Sequence, residues 1–292
     1  MRMALSYGGI MMAWSYTIQD DGMTVEELLR KEWGLGKKVV HEMRMAKSVK
    51  NDKFQEVIWK EPLAKGTVLQ FELPPAASPY EPKHDVELPI LFEDDHFIVA
   101  RKPKGMATHP NEVGQTDTFI NAILGHIIRN GGTYGEHVHR LDQGTSGLLM
   151  VAKHPVAKNV LDRMLEQKQL VRDYEAVVKG KVHNKSGTID FPLGKDRHHP
   201  TRRRVSPTGQ SAVTHYKLLK QMEGKSLLHL TLETGRTHQI RAHLSHIGHP
   251  IIGDEMYDGP ATQDGAYHLH AFRMSFIHPF THERIVVEDT AR

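Results

Sequence analysis

Three stretches of the sequence carry side chains that could act on a substrate. The first is His139-Arg140-Leu141-Asp142-Gln143-Gly144-Thr145-Ser146-Gly147, a polar turn with one carboxylate. It runs into Leu148-Leu149-Met150-Val151-Ala152, an apolar run that reads as a buried strand. A turn fixed by a core strand is a common place for catalytic groups. There Asp142 could attack an electrophilic carbon or hold positive charge as it develops. The plain alternative is a capped turn in which Arg140 pairs with Asp142 on the surface. The second stretch is Glu233-Thr234-Gly235-Arg236-Thr237-His238-Gln239-Ile240-Arg241-Ala242-His243-Leu244. Ile240, Leu244 and Ile247 fall at i, i+4 and i+7, the core stripe of a helix. Thr237 is the expected cap, and Gly248 with Pro250 ends the helix. Arg241 lies beside that stripe, so it should be partly buried and needs an anion. The third is Val171 to Gly180, a strand in which Tyr174, Ala176 and Val178 share a face. A lone tyrosine in such a strand is usually an ordinary half-buried residue.

Metal chemistry is the main rival. The chain has 21 histidines, and His238, His243, His246 and His249 crowd one helix and its end. Only His243 and His246, three apart, share a helical face, and no paired carboxylate follows at metal spacing. No metal and no cofactor are therefore expected.

The elements that position these groups can be read along the chain. Residues 1–14 are expected to be a leader outside the fold, because the apolar start is short and lacks a cleavage site. Ser15 to Gln19 suggests a strand. Thr24 and Glu27 form a capping-box pattern ahead of Val25, Leu28, Leu29 and Trp33, a helical stripe. A second helix is expected over Lys37 to Ala46 and a strand over Val68 to Leu73. Residues 15–74 thus read as a small α/β domain. The proline-rich stretch after Leu73 predicts an extended linker over 75–87. The remainder, 88–292, has its own core pattern and is expected to fold without the N-terminal part. It reads as two strands around the acidic turn Asp94-Asp95, helices over Thr118 to Ile128 and Pro155 to Gln167, and strands including Ala212 to Leu219 and Leu228 to Leu232. The fold class expected is α+β, with a mixed, largely antiparallel sheet, flanking helices and the small N-terminal domain.

Composition adds bounds. Hydrophobic content of 39% and charged content of 25% are those of a globular protein. The chain has no cysteine, so disulfides and thiolate metal sites are excluded, and a reducing cytoplasm fits. Net charge of +3 permits a nucleic-acid partner without arguing for one. The distribution says more: Arg30 to Lys53 holds eight Lys/Arg against three Asp/Glu. No apolar run approaches the ~20 residues of a membrane span.

The turn at Asp142 resembles the HRLD-x-x-TSG signature of the RluA-type pseudouridine synthases, which isomerise uridine in RNA. The likeness continues in Lys102-Pro103-Lys104-Gly105 with His109-Pro110, and in Arg172-Asp173-Tyr174. It continues again in Gly235-Arg236-Thr237-His238-Gln239-Ile240-Arg241 with Gly248-His249-Pro250-Ile251-Ile252-Gly253-Asp254. It spans about residues 88–289, and the N-terminal part is similar to a small RNA-binding domain named after a ribosomal protein. The resemblance implies that Asp142 is the nucleophile, that Arg241 contacts it, and that Tyr174 lies close to the target uracil. It also implies a flipped base, with Arg140 filling the vacated stack or holding phosphate. Arg202, Arg203 and Arg204, in a basic loop, are candidate RNA contacts, as are Lys37, Lys38 and Arg44. The N-terminal domain leans the expected substrate towards large-subunit ribosomal RNA over transfer RNA. The alternative function is a catalytically silent RNA-binding or ribosome-assembly factor. A monomer with no membrane partner is expected.

Overall fold

A computed structural model of the chain describes residues 12–263 and 265–290. The N-terminal domain is a three-stranded antiparallel sheet with two short helices. Strand β1 (Met12–Thr17) and strand β2 (Val49–Asn51) flank β3 (Val68–Leu73). Helix α1 (Val25–Glu27) starts with the predicted capping box: Glu27 N–H donates to Thr24 Oγ1 at 3.1 Å and Thr24 N–H donates to Glu27 Oε2 at 3.2 Å. It widens into a π turn, Leu28–Glu32, and α2 follows over Lys37–Met45. The expected leader is too long. Met12, Ala13 and Trp14 belong to β1, where Trp14 pairs with Phe71 and stacks on its ring at 5.1 Å. Trp14 and Tyr16 are buried while Ala13, Ser15 and Thr17 are exposed, the two-residue alternation of a half-buried strand. Residues 1–11 lie outside the described residues.

The rest of the chain builds one large sheet. Its strands are β4 (Ile90–Glu93), β5 (Phe97–Lys102), β6 (Glu136–His137), β7 (Ser146–Ala152), β8 (Val171–Lys179), β9 (Ser186–Asp190), β12 (Val213–Met222), β13 (Lys225–Leu232), β14 (Leu269–Ile277) and β15 (Arg284–Glu288). The intervening β10 (Leu193–Lys195) and β11 (Arg203–Val205) make a separate hairpin. Within the sheet the order is β4-β5-β7-β14-β8-β13-β12-β9, with β6 on β7 and β15 on β14. All these pairs are antiparallel except β7 with β14. Three helices pack on it: α3 (Phe119–Arg129), α4 (Pro155–Glu166) and α5 (Gln239–His246). The fold class is the mixed α+β arrangement read from the sequence.

Burial explains why β7 is an unbroken apolar run. Leu148, Met150 and Ala152 face one core, together with α4 and Phe97 and Val99 of β5. Leu149 and Val151 face the other, together with α3 and Ile98 and Ala100. A strand covered on both faces has no polar side to alternate with.

The first core does not stop at the domain boundary. Trp14, Tyr16, Leu28, Trp33 and Phe71 of the N-terminal domain belong to the same cluster as Phe97, Val160, Phe276 and Phe280. Trp14 stacks on His154 at 4.8 Å, and Trp33 meets Phe280 edge-on at 5.2 Å. Residues 75–87 are likewise not a free tether. Ser78 Oγ donates to Gly135 O at 2.7 Å, Lys83 N–H donates to Asn121 O at 2.8 Å, and Tyr80 meets His137 at 3.2 Å. Proline content marks an extended segment, but an extended segment can lie flat along a neighbour and bond to it.

Candidate functional site

The register of the central strands sets the site. Gly147 of β7, Ala271 of β14, Tyr174 of β8 and Leu230 of β13 lie in one row across the sheet. The turn before Gly147 therefore opens beside Tyr174, although Tyr174 lies 32 positions after Asp142 in sequence. Two glycines make the close approach possible. A Cβ on Gly147, whose φ is +112°, would sit 2.2 Å from Ala271 O, and one on Gly144 would sit 2.4 Å from the Tyr267 ring.

A second loop holds the turn from behind. Lys102 pairs with Gly147 in the β5–β7 ladder, so the loop after β5 lies along the Asp142 turn. Thr108 Oγ1 donates to Leu141 O at 2.8 Å and accepts from Leu141 N–H at 3.2 Å. Gly105 N–H donates to Gln143 O at 2.9 Å. Lys102 is fully buried and spends its three donors on Met106 O, Pro103 O and Gln143 O, at 2.7, 3.0 and 3.1 Å. Burial pushes this lysine down to about 8, with Asp142 acting in the opposite sense. Clamped at both flanks, Asp142 has little freedom to turn away.

Helix α5 brings the cation. Arg241 donates from Nη1 to Asp142 Oδ2 at 3.0 Å. It also grips Asp254 with a two-pronged pair, Nε to Oδ2 at 2.7 Å and Nη2 to Oδ1 at 2.8 Å. The guanidinium lies 4.9 Å from the Tyr257 ring centre and 4.6 Å from that of Tyr267. Burial works against its charge, but the Asp254 hydrogen bonds, together with the electrostatic pull of Tyr267, Asp142 and Asp254, outweigh that and hold it protonated more firmly than an ordinary arginine. Asp142 is one-quarter exposed, and among the described residues nothing bonds to its Oδ1. The plain reading of Asp142 as one half of a surface pair with Arg140 does not hold, because Arg140 is exposed and the partner is Arg241.

The cap of α5 differs from expectation. Thr237 does not cap it; His238 stands at the helix start with φ +56°, the left-handed region. Gln239 orders the turn instead, accepting on Oε1 from Arg236 N–H at 3.0 Å and Thr234 Oγ1 at 2.7 Å. His238 is thereby aimed at the site, with Nε2 3.9 Å from Asp142 Oδ2 and Nδ1 3.0 Å from Tyr257 Oη. Burial lowers its pKa while Asp142 acts to raise it.

These groups line a cleft of about 700 Å³. Asp142, Arg140, Tyr174 and Arg241 all face it. The other expected contacts do not. Arg202 pairs with Asp258 at 3.0 Å and lies over the Tyr257 ring, Arg203 N–H donates to Tyr257 Oη at 2.8 Å, and Arg204 is exposed. Tyr257 thus ties the basic hairpin to the cover of Arg241. Lys37, Lys38 and Arg44 sit on the outer side of α2, where Arg44 is taken up by Glu26 and Trp59. Among the described residues no group of three or more His, Asp or Glu side chains could hold a metal ion. His243, the most buried of the helix histidines, spends its nitrogens on Thr214 and Phe191 O. No helix among the described residues is long and apolar enough to cross a membrane.

Sequence reasoning assigned no role to Asp254, Lys102, Tyr257, Tyr267 or His238 at this site. Asp254 and Lys102 stood in the quoted motifs, Gly253-Asp254 and Lys102-Pro103, but nothing local says which carboxylate an arginine will grip.

The fold and site meet comparison at this point. Residues 96–246 match the family described as RNA pseudouridylate synthase, and residues 12–69 match the RluD ribosomal pseudouridine synthase N-terminal domain. The chain belongs to the RluA-type family of RNA pseudouridine synthases and is an enzyme of that isomerase class. Among its relatives is the uncharacterized RNA pseudouridine synthase YhcT of Bacillus subtilis, 53% identical over 205 residues, covering 69% of this chain and 68% of that protein. YjbO of the same organism, also an uncharacterized RNA pseudouridine synthase, is 35% identical over 265 residues, covering 90% and 93%. The ribosomal large subunit pseudouridine synthase D of Nitrosomonas europaea is 41% identical over 217 residues, covering 70% and 62%. The human RNA pseudouridylate synthase domain containing 1 shares the fold, with a TM-score of 0.57 at 24% identity over 72% of this chain and 86% of that one.

Proposed function

We propose that this protein converts a uridine of large-subunit ribosomal RNA into pseudouridine, with Asp142 as the nucleophile. The observation that carries the reading is Asp142 itself: a carboxylate fixed from two sides, with one oxygen on Arg241 and the other open to a cleft beside Tyr174. The target base leaves its helix to enter the cleft. The glycosidic C1′–N1 bond breaks, Asp142 takes C1′ or holds its developing positive charge, and the base turns over Tyr174. C5 then bonds to C1′, Asp142 departs, and the proton on C5 is given up to water while N1 takes one up, which leaves neutral pseudouridine. Tyr174 is buried and has no hydrogen-bond partner among the described residues, which suits a ring that supports the uracil. Arg140, exposed at the mouth, can fill the gap left in the RNA stack or hold phosphate.

Ribosomal RNA is favoured over transfer RNA by the N-terminal domain match and by the relatives named large-subunit synthases. The exposed Lys37 and Lys38 would add phosphate affinity without sequence choice. With such a substrate the place of action is the cytoplasm, and a monomer suffices because one chain supplies the whole constellation. Mapping pseudouridines in total RNA with and without the gene tests the reading. Loss of a large-subunit ribosomal RNA site supports it; loss confined to transfer RNA overturns the substrate.

A further inference from the structure

One buried cation at the cleft has no counterpart among the described residues. Arg172 is only 8% exposed and lines the cleft, yet among the described residues it makes no ion pair, and its buried Nε has no hydrogen-bond partner. Buried or half-buried cations at the cleft and along the sheet are otherwise matched. Arg241 has Asp254 and Asp142, Arg101 has Asp289, Arg273 has Asp173, and Lys102 has three carbonyls. An unpaired guanidinium in such a place is costly unless something else completes it.

The surroundings hold this guanidinium in place. Arg172 and Tyr174 stand two residues apart on β8, so their side chains leave the same face of the sheet. On the loop after β13, Gly235 leaves room for the guanidinium: a Cβ there would lie 3.4 Å from both Nη1 and Nη2. His139, 5% exposed and also lining the cleft, has neither ring nitrogen bonded. Burial, with Arg172 adding to it, keeps that ring neutral, so it brings no competing charge.

Position decides what Arg172 meets. A phosphate would sit at the mouth with the exposed Arg140; Arg172 is on the sheet floor in line with the ring expected to carry the uracil. We propose that Arg172 donates hydrogen bonds to a carbonyl oxygen of the uracil and stabilises the base as it departs. When C1′–N1 breaks, the electron pair stays with the base, whose negative charge spreads over N1 and the carbonyl oxygens. Arg172 stays protonated throughout and transfers nothing. The charge is quenched when C5 bonds to C1′; the proton on C5 then leaves to water and N1 takes one up, so the base ends neutral. This is stabilisation aimed at charge present in the transition state and weak in the substrate. It rests on the reading of Asp142 given above.

The test uses the full chain and a target RNA under single-turnover conditions, with Arg172→Met, Arg172→Gln and Arg172→Lys. At saturating RNA the Met and Gln variants should be slower by about a hundred-fold or more, with Lys between them and wild type. RNA affinity should stay within a few-fold, and its dependence on salt should not change. Placing 5-fluorouridine at the target supplies a better leaving group, so the deficit in glycosidic cleavage should shrink by about ten-fold. A normal rate with weaker binding and a salt slope shallower by about one unit would overturn the proposal in favour of a phosphate contact. An equal deficit with both bases would also overturn it, showing a structural role. If the Met variant does not fold, Gln and Lys carry the comparison. Asp142→Asn runs alongside: if it still cleaves, the reading of the site has failed; if it is dead and the Arg172 variants are normal, only this proposal has.

Discussion

Arg241 holds Asp254 with two hydrogen bonds, at 2.7 and 2.8 Å, and reaches Asp142 with a third at 3.0 Å. The order matters. Asp254 is 2% exposed and offers both oxygens, so it fixes the plane of the guanidinium. Asp142 meets only the remaining Nη1. Asp254 is thus a positioning residue for the pair that faces the cleft.

Asp254→Ala should leave a buried arginine with Asp142 alone and cost about 3–5 kcal/mol of stability, read by denaturant unfolding. Arg241→Lys should lose most activity while folding, since an ammonium cannot serve both carboxylates in one plane. An Arg241→Lys enzyme turning over at the wild-type rate would show that this geometry is dispensable.

The shared core leads to a second expectation. Trp14→Ala should cost about 3–5 kcal/mol, although Trp14 lies far in sequence from every group at the cleft. A fragment beginning at residue 88 should aggregate or unfold at lower denaturant than the full chain, because the surface around Phe280 and His154 is uncovered. Equal midpoints for fragment and full chain would show that the contact contributes little.

How far the sequence could be read follows from how local each feature is. That Asp142, Tyr174 and Arg241 come together at one cleft was legible through the resemblance of their three short motifs to the family's. The capping box at Thr24 and the apolar run of β7 were legible because each sits in a short pattern with its own period or punctuation. The role of Asp254 was not, because pairing across a fold is a tertiary choice. Nor was the joint core of the two domains: the inward faces of β1 and α4 each look like an ordinary buried stripe, and nothing in either names its partner. Thr237 looked like a cap because threonine usually is one, until Gln239 took the backbone donor of Arg236.

The domain contact should also respond to acid. His154 Nδ1 accepts from Ala157 N–H at 3.1 Å, so its Nε2 carries the proton and donates to His96 Nδ1 at 3.0 Å. Burial pushes His154 down to about 3 and His96 down to about 4, with Asp94 opposing and Lys153 assisting. Both rings are neutral in the fold, whereas in the unfolded chain they titrate near 6.5. Above pH 6.5 they contribute no pH dependence. Between pH 6.5 and 4 the unfolded chain binds protons that the fold refuses, so stability falls by up to about 1.4 kcal/mol per pH unit for each ring. Unfolding midpoints from pH 7.5 to 4.5 should show this decline, and His154→Gln should flatten it. A decline just as steep in that variant would place its cause elsewhere.

The most direct measurement is pseudouridine formation by Asp142→Asn on the target RNA. The substitution keeps the size of the side chain and its reach to Arg241 while removing the charge proposed to attack C1′. Product should fall to background, with the unfolding midpoint close to wild type and RNA affinity retained; a chelator added to wild type should change nothing. Pseudouridine formed at a comparable rate by Asp142→Asn would contradict the assignment of the nucleophile.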